Sequence, residues 1–163
     1  MKIILIGFMG TGKSTISKLL GKTLNLKVVD MDDMVEEMAG IKTPEIFDKY
    51  GEVKFREFES KVAKNLSQTN DIIISTGGGV ILNKLNIINL RKNNGRVVFL
   101  RTTFEEIVKR ISLHDRPRPL FSNIKKAEKL FESRKAIYES HADIIIDTDG
   151  VKVEDIVNQL ISG

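Results

Sequence analysis

Cysteine is absent from this chain and histidine occurs only twice in 163 residues. Disulfides and thiolate metal sites are thereby excluded, and a zinc centre lacks the ligands to form. Any catalysis has to use other groups. No apolar run approaches the ~20 residues that a membrane span requires. The N-terminus enters a strand-like run at once, without the cationic, apolar and small-residue series of a signal peptide, so a cytoplasmic location with no membrane partner is expected. Net charge is +4, yet lysine and arginine are scattered rather than gathered into the short basic blocks that mark nucleic-acid binding. That pattern fits a solvated mixed surface or a cleft that collects anions, with no nucleic-acid partner. Proline is scarce as well, at three. No internal repeat or low-complexity tract is visible, and length and apolar content suit one domain over residues 1–163.

Glycine, by contrast, is concentrated where it matters. Gly7-Phe8-Met9-Gly10-Thr11-Gly12-Lys13-Ser14 reads G-x-x-x-x-G-K-[ST], directly after the apolar block Ile3-Ile4-Leu5-Ile6 and directly before a run with Ile16, Leu19, Leu20 and Leu24 at helical spacing. The glycines let successive backbone N–H groups turn inward around an anionic oxygen cluster. Lys13 adds a positive charge, Ser14 offers a hydroxyl to a Mg²⁺ that bridges nucleotide phosphates, and the helix that follows, beginning with Ser14 and Thr15, points its positive end at the same spot. The alternative, a glycine-rich turn that fits the pattern by chance, does not account for the strand before it and the helix after it. A nucleoside triphosphate site is expected here.

Further apolar runs mark four more strands: Leu26 to Asp30, Ile72-Ile73-Ile74, Arg96 to Leu100 and Ile144-Ile145-Ile146. The second strand ends in Asp30, with Asp32 two residues on, at the sheet edge where ligands bind in open α/β folds. Both could instead be helix-cap residues. Thr43-Pro44 reads as a helix start with proline at the first helical position, Gly51 as its stop, and a second helix follows from Glu52 with Phe55, Phe58, Val62 and Leu66 as its stripe. Arg56 has an ion-pair partner three residues on in Glu59. The triplet Gly77-Gly78-Gly79 is pinned between a strand and an apolar run, where a flexible linker has no use, so close backbone approach to a ligand is expected. Thr103 and Glu106 form a capping box. Residues 112–123 are polar, hold two prolines with Arg116 and Arg118, and make a candidate mobile lid. Strands alternating with helices predict a parallel sheet of five strands covered on both faces.

A phosphate cradle alone leaves kinase, GTPase, motor and switch open. The remaining motifs narrow the field. The cradle, Asp30-Met31-Asp32, Phe55-Arg56-Glu57-Phe58-Glu59, Gly77-Gly78-Gly79, Arg118-Pro119-Leu120, and Arg134 with Tyr138 run in the order found in shikimate kinases, and the chain resembles that family over nearly its whole length. The resemblance implies the P-loop kinase fold with a helical acceptor-binding insert at about 31–66 and a mobile lid at about 112–123. It also implies ATP and shikimate as substrates, Mg²⁺ as cofactor, phosphorylation of the 3-hydroxyl of shikimate in aromatic amino acid biosynthesis, and a monomer.

By position, the resemblance gives Asp32 the acceptor hydroxyl and its proton, Arg56 and Arg134 the shikimate carboxylate, and Gly77, Gly78 and Gly79 the backbone around the acceptor. Lys13 and Arg118 would stabilise the transferring phosphoryl group. Gly10, Thr11, Gly12, Lys13, Ser14, Thr15, Arg110, Arg116 and Arg118 would bind ATP, with Arg110 and the loop after Ile146 near adenine. Ser14, and Asp30 through water, would hold Mg²⁺. From the residues alone, Arg134 lies beside the apolar stripe of Leu130, Phe131, Ile137 and Tyr138, which suits either a buried anion clamp or a snorkelling side chain. Two departures stand out: the third strand ends in Ser75-Thr76 rather than an aspartate, and the lid has two arginines where one suffices. Phosphorylation of another small acceptor such as gluconate or a nucleoside monophosphate, and a nucleotide-binding regulatory module without chemistry, remain as alternatives. A nucleotide acceptor fits poorly, because a pair of arginines suits one compact anion.

Overall fold

Isoleucine, leucine and valine dominate five short runs; the three central ones are buried on both faces, which leaves no polar side for an alternating pattern, while the two outer ones are partly exposed. In the computed structural model, which describes residues 1–113 and 119–163, these runs are β1 (Lys2–Ile6), β2 (Lys27–Asp30), β3 (Ile72–Ser75), β4 (Gly95–Arg101) and β5 (Ile144–Asp147). Arg116 and Arg118 lie outside the described residues. All pairings are parallel, in the order β2-β3-β1-β4-β5.

Side chains alternate along each strand between two cores. Ile3 and Leu5 of β1 face a core completed by Ile16 and Leu20 of α1 (Lys13–Leu24) and by Ile156, Val157 and Leu160 of α7 (Val153–Ser162). Ile4 and Ile6 face the opposite core. There they meet Val35 of α2 (Met31–Ala39), Val62 and Leu66 of α3 (Thr43–Leu66), Leu90 of α4 (Lys84–Arg91), Ile107 of α5 (Phe104–Ser112), and Phe131 and Tyr138 of α6 (Ile124–His141). The expected five-stranded parallel sheet, helix-covered on both sides, is what forms. Since all strands run one way and winding reverses at β1, the loops after their carboxyl ends gather on one edge.

Local signals held with two adjustments. Gly51 does interrupt α3: its φ of 81° and ψ of 174° are not helical, and the axis breaks there before resuming at Glu52. Pro44 is the second helical residue rather than the first, because the cap is Lys42. The Thr103 hydroxyl accepts from Glu106 N at 3.3 Å, but the reciprocal half of the box is not made. Glu106 accepts from Arg110 Nε instead, and Thr103 N donates to Asp149 Oδ1 at 3.0 Å.

Nothing in the sequence marks Lys2, which is 1% exposed. Its ammonium donates to Leu66 O at 2.7 Å and Lys92 O at 3.1 Å, closing the ends of α3 and α4 whose last carbonyls have no helical partner. Burial lowers its pKa.

Candidate active site

The cradle is built by conformations that require glycine. Gly10 and Gly12 have φ of 85° and 93°, and Gly12 caps α1 in the left-handed region, so the free N–H groups of the first turn open toward the loop. Lys13 is buried, and its ammonium donates to Gly7 O at 2.7 Å and Phe8 O at 2.9 Å. The Thr11 hydroxyl turns inward to Phe8 O, while its carbonyl accepts from Arg110 Nη1 at 3.2 Å. Arg110 also donates to Thr148 O after β5, which ties the cradle to the loop opening α7. These parts line one cleft of about 570 Å³ that includes Gly10, Thr11, Gly12, Lys13, Ser14, Thr15, Asp30, Asp32 and Arg110. Lys152 and Val153 complete its far wall. They sit just past the carboxyl end of β5, a position that the strand-edge rule marks without specifying residues.

Asp30 caps a helix with one carboxylate oxygen and turns the other into the cleft. Oδ1 accepts from the backbone N of Asp32 at 2.8 Å and of Asp33 at 3.3 Å, capping α2. Oδ2 accepts from Ser14 Oγ at 3.4 Å across the cleft. Two hard oxygens facing each other there suit Mg²⁺, which takes one or two protein oxygens and completes its shell with phosphates and water. Among the described residues no group of three or more histidine, cysteine or carboxylate side chains could hold a metal unaided. Ser75 stands beside Asp30 in the β2–β3 register, and the Thr76 hydroxyl is committed to Leu5 O at 2.8 Å.

The three glycines after β3 are explained by their neighbours. A Cβ on Gly77 would lie 2.7 Å from Asp32 Oδ1, and one on Gly79 would lie 2.5 Å from Arg56 Cζ. On Gly78 it would stand 3.6 Å from Tyr138 Oη and 3.7 Å from Arg134 Nη1. Close approach is therefore real, and at Gly77 and Gly79 the protein's own carboxylate and guanidinium need the room. Five side chains from α2, α3 and α6 thus converge on one loop: Asp32, Arg56, Glu59, Arg134 and Tyr138.

Their electrostatics are unusual for a protein surface. Glu59 is 2% exposed and accepts from Arg56 Nη1 at 3.0 Å. Burial raises the Glu59 pKa, with Arg56 opposing. Asp32 is likewise raised, by burial first and by Asp30 second, while Lys13 and Arg56 pull the other way. The Arg56 guanidinium also lies 5.2 Å from the centre of the Phe55 ring. Arg56 Nε and Arg134 Nε are both buried without a hydrogen-bond partner, a costly state for cationic donors unless something else satisfies them. A snorkelling side chain holds its charged head in water, whereas the Nε of Arg134 is buried. Asp32, Gly77 and Gly78 line the nucleotide cleft, whereas Arg56 and Gly79 line a neighbouring cleft together with Glu59 and Asn86.

The shikimate kinase family model matches residues 9–163. This chain belongs to the shikimate kinase family. A shikimate kinase of Sulfurihydrogenibium is 41% identical over 98% of this chain and 95% of its own length, and that of Enterococcus faecalis is 40% identical over 98% and 95%. Among solved structures, the shikimate kinase of Acinetobacter baumannii in complex with shikimate superposes with a TM-score of 0.89 at 32% identity, covering 99% of this chain and 90% of that one. The Aquifex aeolicus shikimate kinase gives 0.81 at 38% identity, over 99% and 94%. The P-loop kinase fold of that family is thus shared over almost the whole chain.

Proposed function

We propose that this chain transfers the γ-phosphoryl group of ATP to the 3-hydroxyl of shikimate, giving shikimate 3-phosphate and ADP. The observation that carries this reading is the position of Asp32. It lines the cleft of Lys13 and Ser14 and touches Gly77, at the head of the loop on which Arg56 and Arg134 converge. A carboxylate that can take a proton thus stands between a phosphate cradle and a pair of guanidiniums suited to one carboxylate.

On this reading Arg134 and Arg56 grip the shikimate carboxylate, each with a buried Nε that has no partner within the protein. The Gly78 and Gly79 backbone walls the acceptor, and Asp32 holds the attacking hydroxyl and takes its proton. Its raised pKa brings it nearer the working pH, where a general base is most effective. Lys13 and the α1 N-terminus set positive charge against the phosphates, and Arg110 stands at the nucleoside end of the cleft. Mg²⁺, when bound, would be held by Ser14 and, through water, Asp30, and would draw charge from the phosphate oxygens. By its place in the motif, Arg118 is assigned to the transferring group and Arg116 to ATP. The chain then works as a single kinase domain, with residues 31–66 as acceptor side and 112–123 as lid, as a monomer in the cytoplasm. Among the described residues no helix is long and apolar enough to cross a membrane.

In a coupled assay, the purified protein is expected to form ADP from ATP only with both Mg²⁺ and shikimate present, because both sites are needed to assemble the reacting geometry. Equal turnover with gluconate, or none with shikimate, overturns the assignment.

A finer test uses Gly79. Its φ of −98° tolerates alanine, but the added Cβ would collide with the Arg56 guanidinium. Gly79→Ala is expected to raise the KM for shikimate about tenfold, the effect of displacing one charge-assisted contact, while the KM for ATP stays within about twofold. Steady-state kinetics with each substrate varied in turn checks it; a larger effect on ATP counts against this placement of Arg56.

A further inference from the structure

Tyr138 lies one turn beyond Arg134 on α6 and is 1% exposed, with its ring stacked on Phe99 of β4 at 5.1 Å between centroids. A buried phenol needs a partner for its hydroxyl. This one donates to Gly78 O at 2.5 Å, across 60 residues of sequence. The Arg134 guanidinium stands against the same glycine: a Cβ on Gly78 would lie 3.6 Å from the phenol oxygen and 3.7 Å from Arg134 Nη1. A single oxygen is thus bonded to the middle glycine of the triplet and stands beside one of the two arginines that face it.

We propose that Tyr138 is the positioning residue of the acceptor site, setting the distance between the Arg134 guanidinium and the Gly78-Gly79 peptide. The inference rests on the function proposed above. Three consecutive glycines have wide conformational freedom, and holding them in one shape carries an entropic cost that a tether on the central one offsets. The peptide unit is planar and trans, so fixing the Gly78 carbonyl toward Tyr138 also fixes the Gly79 N–H, which points the opposite way. On the other side, the phenol stands beside the Arg134 guanidinium at that glycine and limits where it can move, and among the described residues the Arg134 Nε has no hydrogen-bond partner. Burial pushes the phenol pKa up to about 12, so the O–H remains a donor across the working range. The ring is held independently by Phe99, which keeps the hydroxyl in place when no substrate is bound.

Tyr138→Phe keeps the ring and removes only the hydroxyl. It is expected to raise the KM for shikimate about tenfold, with kcat and the KM for ATP within about twofold, since one buried bridging group is lost from the acceptor side alone. A generally loosened fold would raise both KM values. The decisive comparison is a double-mutant cycle with Arg134→Ala. If Tyr138 acts through Arg134 and the loop it faces, Tyr138→Phe adds little to the shikimate KM once Arg134 is gone, whereas independent roles multiply. Circular dichroism and thermal melting establish that each variant is folded. Should Tyr138→Phe not fold, Tyr138→Trp, which retains a stacked ring with a donor, must restore folding and leave the shikimate KM raised. An unchanged shikimate KM, parallel increases for both substrates, or multiplicative effects in the cycle each overturn the proposal. An inactive parent enzyme overturns the function itself, whereas an active parent with an indifferent Tyr138→Phe overturns only the positioning role.

Discussion

Asp32→Asn is expected to lower kcat by on the order of 10²-fold or more, the usual cost of losing a positioned base, and at the same time to raise the melting temperature at neutral pH. The two effects share one cause. Burial and the neighbouring Asp30 raise the Asp32 pKa, so the folded state prefers the protonated carboxyl more than the unfolded chain does. The stability linked to a raised carboxyl is fully present below its unfolded pKa and is lost as pH rises through the folded value. At neutral pH the ionised group is therefore a burden on the fold that asparagine does not carry. Thermal melts should show the variant above the parent near pH 7, with the gap closing below about pH 4, where free aspartate is itself protonated. The kcat of the parent should fall as pH drops through a window above the ordinary aspartate range. A kcat within a few-fold of the parent removes Asp32 from the role of base, and a lower melting temperature at neutral pH contradicts the raised carboxyl.

Arg134→Ala is expected to raise the KM for shikimate about 10- to 100-fold, the loss of a charge-assisted hydrogen bond worth roughly 1.5–3 kcal/mol. Arg56→Ala should do the same but with a second symptom that separates the two. Arg56 is the ion-pair partner of Glu59, which is 2% exposed, and removing it leaves a buried carboxylate without its partner. Arg56→Ala is accordingly expected to melt lower than the parent at neutral pH and to recover part of the difference in acid, as Glu59 protonates. Arg134 has no such ion pair, so its variant should stay closer to the parent. Binding of a shikimate analogue without the carboxylate, measured by calorimetry, should be the same for parent and Arg134→Ala. A variant that still discriminates fully against that analogue places the carboxylate elsewhere.

Some of this was written locally in the chain and some was not. The cradle and its lysine are legible because glycine at positive φ, a strand before and a helix after are short-range requirements. The three inner strands are legible because two-sided burial leaves continuous apolar runs, and the two edge strands, though partly exposed, keep short valine or isoleucine runs. Asp30 was ambiguous between cap and ligand for a physical reason: a carboxylate has two oxygens, and here one caps α2 while the other faces Ser14 across the cleft. The glycine triplet announced close approach without saying by what, since the side chains that fill the space come from α2, α3 and α6. Lys2 left no mark at all, and Tyr138 was marked only as a companion of Arg134, with nothing to say what its hydroxyl bonds. Their partners are 64 and 60 residues away, and only the strand order brings them together.

That strand order also sets a timetable for the growing polypeptide. β1 occupies the centre of the sheet, between β3 and β4, although it is the first of the five strands to be made. Its neighbour on one side ends at Ser75 and on the other at Arg101. At the ~5–20 residues per second of ribosomal synthesis, an apolar strand waits on the order of ten seconds with both hydrogen-bonding edges unpaired. The cradle hangs from that strand and takes shape only when both neighbours have arrived. During this interval the nascent chain is a substrate for chaperones and for misassociation rather than for ATP, and slow translation between β1 and β4 lengthens the exposure.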